Sequence, residues 1–183
     1  DAYRKLRREL EFDRAGLRAY AENIGQRPLF LFPEDRQSEQ KNSTINTLKN
    51  NLELFDALLL HPKITKVSRK LFADSHCDHA IFEAFKAVNN AVKKKSGIKD
   101  KDGQALMGFV FNEKSPVLKL NSLETRSDKD EQEGFKLLYM GAMTGIRNPR
   151  AHDEHIVQTD PSLILKYLAF ASLLMERIDK STR

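Results

Sequence analysis

The stretch "GIRNPRAHDEH", residues 145–155, gathers two Arg, two His, one Asn and one Pro where an apolar-periodic segment gives out. These residue types suit one chemistry. Cleaving a phosphodiester at a ribose needs a base for the 2′-hydroxyl, an acid for the leaving oxygen, and positive charge against a dianionic transition state. Arg147 is permanently charged and forks onto phosphate oxygens, so it fits charge stabilisation and not proton transfer. His152 is the residue type whose proton moves near neutral pH, which fits acid–base work. One imidazole falls short of the two groups the reaction wants. Either His155 supplies the second within the chain, or a second copy of the chain supplies it across a two-fold axis. A plainer reading competes. Ile146 is the last residue in phase, Pro149 disfavours helical geometry at Asn148, and a basic residue at a helix C-terminus caps carbonyls and suits the dipole. Spacing alone favours that polar helix stop.

Other clusters carry less. His76-Cys77-Asp78-His79 sets four potential ligands within one turn, but no second Cys/His group stands at ligand spacing, so a polar helix start is expected and no metal. Asp153-Glu154 either orients the neighbouring imidazole or caps the next segment. Nothing marks Cys77 as an activated thiolate. Met140 and Met143 read as core. "GAMTG" lacks the Lys-Ser/Thr of a phosphate loop, and no cofactor is indicated.

The chain has 183 residues and a net charge of +5, which suits one domain with an attached segment and favours anionic partners. The excess is local. Between His61 and Gly103 stand ten Lys/Arg against five Asp/Glu, including "KAVNNAVKKKSGIKDK". A solvated lysine face explains that run. Lys93 and Lys94 are its candidate phosphate contacts, and Arg150 and His155 are those of the opening stretch. Few aromatics interleave with the lysines, so a base-stacking surface is not indicated. A single cysteine excludes an internal disulfide and suits a reducing, cytoplasmic compartment. No apolar run reaches membrane-span length, so no membrane partner is expected. The sequence opens on Asp1 rather than Met, which reads as a cut piece and leaves room for a targeting segment or upstream domain before it.

Periodicity must position these groups. Residues 3–23 read as an amphipathic helix, "RPLFLFPEDRQSEQ" as a linker, and 38–60 as a second helix. A short helix over 64–72 follows Pro62. The clearest stripe is Ile81, Ala84, Phe85, Val88, Ala91 and Val92, with Asp74 and Ser75 as its caps. "KDKDGQ" is a turn before a short helix through Leu106, Met107, Val110 and Phe111. Residues 117–125 alternate weakly and suit a small β-hairpin or an irregular loop. Phe135, Leu138, Tyr139, Ala142 and Ile146 define a helix leading into the opening stretch. "TDPSL" announces the last one, with Asp160 as cap, Pro161 in the first turn, and Leu163, Tyr167, Leu168, Ala171, Met175 and Ile178 facing the core. The fold class is therefore an all-α bundle.

With those residues in place, Arg147-Asn148-Pro149-Arg150-Ala151-His152 resembles the motif of the HEPN superfamily, all-α domains many of which are metal-independent ribonucleases of toxin, phage-defence and CRISPR systems. More narrowly, the chain resembles the Ymh-like family of uncharacterised bacterial proteins. The blocks are "LHPKITKVSRKLFADSHCDHAIFEAFKAV", "DGQALMGFVF", "PVLKLN" and "EGFKLLYMGAMTGIRNPRAH". The resemblance implies a HEPN-like helical domain over 60–183, with residues 1–59 as an N-terminal helical extension and linker outside it. It also implies Arg147 and His152 as catalytic pair, Asn148 as the polar residue beside the Arg, and a homodimer with the two motifs facing each other. The expected function is RNA cleavage by 2′-hydroxyl attack in a toxin or antiviral defence role. Residues 1–59 would then serve as an arm for a regulatory partner. Some HEPN domains are silent scaffolds, so a non-catalytic module for nucleic-acid or protein binding is the alternative.

Overall fold

The computed structural model describes residues 49–152 and 160–183, within a compact unit that spans Leu48–Arg183. The expectations for residues 3–23 and for the linker lie outside the described residues. The described part is all-α. Helical turns over 49–57 bring Phe55 onto Phe72, with ring centroids 5.4 Å apart. Helix α1 (Pro62–Ala73) starts on Pro62, and His61 caps it by accepting from the Lys63 N–H at 3.1 Å. Ile64, Ser68 and Phe72, one turn apart, face inward.

Helix α2 (Cys77–Ser96) is the axis of the domain. Its stripe of Ala80, Ile81, Ala84, Phe85, Val88 and Val92 is fully buried and packs against α1 and the C-terminal helix. Gly97 ends it in the left-handed region (φ 78°), where its N–H reaches the Lys93 carbonyl. The expected caps do not cap it. Asp74 closes α1, Ser75 turns the chain with φ 62°, and His76 precedes α2 without a side-chain bond.

Helix α3 (Gly103–Val110) and helix α4 (Arg126–Gly141) pack together; α4 opens on a capping box between Thr125 and Asp128. Of the two readings of 117–125, the β-hairpin is not formed and the irregular segment is. Leu118 and Leu120 are buried and Lys119 is exposed, so the alternation is real, but Lys119 pairs in a single antiparallel bridge with Thr182 near the chain end. The partner that alternation demands came from a distant segment, not from a returning strand. Buried Gln132 secures the stretch. It accepts from the Leu120 N–H at 2.9 Å and donates to the carbonyls of Leu118 (3.0 Å) and Phe111 (3.3 Å).

The chain then enters a π-helical turn (Ala142–Arg147), passes into α5 (Asn148–His152), and after residues outside the described set resumes at α6 (Pro161–Lys180). Helix α6 starts as its sequence announced, with Asp160 accepting from the Ser162 N–H at 2.9 Å. Its inward residues are Ile164, Leu165, Leu168, Ala171, Ser172, Leu174, Met175 and Ile178, while Leu163 and Tyr167 lie at the edge. No described helix is long and apolar enough to cross a membrane.

Candidate functional site

The helix stop expected at Arg147–Pro149 is a helix continuation. Asn148 keeps right-handed helical angles (φ −65°, ψ −43°), and its N–H reaches back five residues to the Met143 carbonyl. Local composition explains the wide turn. Thr144 returns its hydroxyl to the Met140 carbonyl at 3.0 Å, a back-bond that loosens helices. Gly141 and Gly145 flank it, and Pro149 lacks the N–H that an α-helical turn would use. Tyr139, Ala142 and Met143 are buried, while Leu138, expected inside, is 45% exposed. Such turns recur at functional sites because they aim side chains that a regular helix would place elsewhere.

Here the side chain is Arg147. Its Nη1 donates to Asn148 Oδ1 at 3.1 Å, and its Nη2 lies 3.4 Å from Asp102 Oδ2. The guanidinium carbon stands 5.9 Å from the centroid of the Phe82 ring, close to a cation–π arrangement. Its Nε is buried without an acceptor among the described residues. The side chain is 21% exposed, so the charge is reachable but not free to wander.

Asp102 organises the neighbourhood. Its Oδ1 accepts from Asn89 Nδ2 at 2.6 Å and pairs with Lys93 Nζ at 3.1 Å. Burial pushes its carboxyl up, but hydrogen bonds from Asn89 and Lys93 and the charges of Lys93 and Arg147 outweigh this and hold it below the usual carboxylate range. Two cations around one carboxylate leave a local excess of one positive charge, suited to a phosphate.

Of the other sequence-derived candidates, Lys93 joins this cluster and Lys94 is exposed on the same helix. Arg150 is engaged inward. Its Nε pairs with Asp78 at 3.2 Å, its Nη1 donates to the Ile146 carbonyl at 3.1 Å, and its guanidinium lies over Tyr167 at 4.9 Å with the side chain 7% exposed. The side chain of His152, and the whole of His155 and of Asp153-Glu154, lie outside the described residues. His79 faces Glu83 at 3.6 Å, and among the described residues no group of three His, Cys, Asp or Glu converges as a metal site would. Burial, with the nearby Asp78 charge, pushes the Cys77 thiol up, away from thiolate reactivity.

Sequence reading missed Asp102, Asn89 and Phe82. Asp102 passed as a turn residue, and no local pattern singled out Asn89 or Phe82. Aromatics do meet the lysines in space: Lys86 lies 5.6 Å from the Phe82 ring and Lys101 lies 5.1 Å from that of half-exposed Phe109.

No curated protein and no solved structure matches this chain. One family model does, described as "Protein of unknown function (Hypoth_ymh)", and it covers residues 58–178, taking in α1 to α5, the π turn, Asp102 and all but the last two residues of α6. On that match the chain belongs to the Hypoth_ymh family.

Proposed function

We propose that this protein is a metal-independent endoribonuclease of HEPN type that acts as a homodimer. The observation that carries this reading is the Arg147 guanidinium. It is set on a π turn and shares the Asp102 carboxylate with Lys93, with hydrogens on Nη1 and Nη2 still open among the described residues and a net positive charge around it. In the reaction, a base removes the 2′-hydroxyl proton, the 2′-oxygen attacks phosphorus, the bond to the 5′-oxygen breaks, and an acid delivers a proton to that oxygen. The products are a 2′,3′-cyclic phosphate and a 5′-hydroxyl. Arg147 balances charge on the phosphorane-like transition state, and His152 moves protons. A second chain supplies the second imidazole. The surface leading to the motif suits such a neighbour: Leu137 and Leu138 are exposed, and a Cβ at Gly141 or Gly145 would meet open space. In a toxin or antiviral defence setting, residues 1–59 would bind a regulatory partner.

The test uses the nucleophile. In EDTA, the protein is expected to cut a single-stranded RNA and to leave the same strand intact once the 2′-hydroxyl at the cut position is replaced by hydrogen. Cleavage of the 2′-deoxy strand at the same place would end this mechanism. Salt-sensitive RNA binding that survives His152→Ala, without any cleavage by wild type, would favour a silent binding module instead.

A further inference from the structure

Helix α3 begins without the cap its sequence offers. Asp102 stands at the N-cap position in extended geometry (φ −143°, ψ 160°), where an Asp ordinarily accepts from an N–H of the first turn, yet its carboxylate makes no such bond. The Gly103 N–H is taken instead by Asn89 Oδ1, at 3.0 Å, from a residue only 2% exposed on α2. The Asp102 carboxylate is thereby left to look across to α2 and the π turn.

Its partners rank by distance. Asn89 is closest (2.6 Å), Lys93 next (3.1 Å), and Arg147 last (3.4 Å). Asn89 therefore ties the carboxylate to the core, while each oxygen keeps one cation: Lys93 at Oδ1 and Arg147 at Oδ2. Left alone, two like charges this close would repel, and two long side chains would sample many rotamers. Arg147 gives one hydrogen of Nη1 to Asn148 and one of Nη2 to Asp102, which leaves one on each nitrogen for an incoming pair of oxygens.

We propose that Asp102, fixed by Asn89, is the positioning residue of this site, holding Lys93 and Arg147 side by side so that both meet one phosphate of an RNA strand. The substrate rests on the ribonuclease reading; the placement of the two cations does not. Asp102 itself touches no substrate. An Asn at this position cannot accept from Arg147 and Lys93 as a charged carboxylate does, and it presents a donor where an acceptor is needed.

The experiment compares wild type, Asp102→Asn and Asp102→Glu in three readouts. Side-chain NMR follows the Arg147 Nη hydrogens, assigned by their loss in Arg147→Lys; steady-state cleavage of a single-stranded RNA in EDTA gives kcat and KM; and melting reports the fold. Asp102→Asn is expected to free rotation of the Arg147 guanidinium and to lower kcat about 10-fold or more, with a smaller change in KM. Asp102→Glu should restore part of both. Because Asp102 caps nothing, Tm should move by about 3 °C or less. Unchanged Arg147 signals, or full kcat in Asp102→Asn, would overturn the proposal. If wild type cuts no RNA, the ribonuclease reading fails on its own, and the NMR comparison still decides: mobility gained upholds the positioning role, and mobility unchanged ends it.

Discussion

Asp179 and Asp102 each gather two basic groups, and they do so to opposite ends. Asp179, near the end of α6, meets Lys63 Nζ at 3.0 Å and His61 Nε2 at 2.9 Å. Asp102 meets Lys93 and Arg147 at 3.1 and 3.4 Å. In the first cluster the His61 ring is complete. Nδ1 accepts from the Lys63 N–H, which makes Nε2 the donor to Asp179, and the His61 backbone N–H bonds Ser172 at 2.8 Å. The imidazole is held at both of its nitrogens within the fold. It is a staple joining the start of α1 to the end of α6. In the second cluster the guanidinium is held at two corners and still offers hydrogens, and its anchor rests on a buried amide. The ingredients are the same, and what separates a staple from a site is how much hydrogen-bonding capacity remains once the group is held.

Helix α2 serves both clusters. It carries Asn89 and Lys93 for one, and Lys95, whose Nζ donates to the carbonyls of Ile178 (2.6 Å) and Asp179 (2.9 Å), for the other. Truncating its buried Phe85 should therefore weaken the two together. Phe85→Ala is expected to cost about 3–5 kcal/mol in chemical denaturation, the usual range for a large core aromatic. Unfolding curves within about 1 kcal/mol of wild type would place this ring outside the core that supports both.

Arg147→Ala separates the clusters. It should lower RNA cleavage about 100-fold or more while the melting temperature holds close to wild type. A protein that melts far earlier would make Arg147 another staple. Gln132→Leu strikes neither cluster but the segment between α3 and α4. It leaves the Leu120 N–H and two carbonyls unpaired and should cost about 2–4 kcal/mol, read by urea unfolding.

The smallest effect sharpens the contrast most. Asp179→Asn should lower Tm by about 3 °C or less at neutral pH and leave cleavage unchanged. The Lys63 hydrogen bond, resisted by burial and joined by His61, holds the Asp179 carboxyl below its ordinary range. Its stabilisation is therefore complete above the ordinary carboxylate value of about 4 and is lost as pH falls through the lower folded value. The gap in Tm between wild type and Asp179→Asn should close on acidification below about pH 4. A gap that widens on acidification would contradict the assignment.

The sequence made some of this visible and hid the rest for physical reasons. The α2 stripe and the Asp160-Pro161 start of α6 are local patterns, and local patterns survive folding. Arg147 and Lys93 were legible as residue types suited to phosphate, while Asn148 came only from the family resemblance. The π turn was not, because Pro149 after Asn148 speaks for a stop unless the carbonyls before it are displaced. Asp102 was not legible either. Its partners lie 13 residues away at Asn89 and 45 away at Arg147, and its own position argues for a helix cap it does not make. The pairing of Lys119 with Thr182 escaped in the same way, since alternation declares an extended segment without saying what it pairs with.

The measurement closest to the central claim is cleavage of a 5′-labelled single-stranded RNA in EDTA by wild type and His152→Ala, with the ends of the products identified. The account predicts fragments ending in 2′,3′-cyclic phosphate from wild type and intact RNA from His152→Ala. Equal cleavage by the two proteins, or none by wild type, would contradict it.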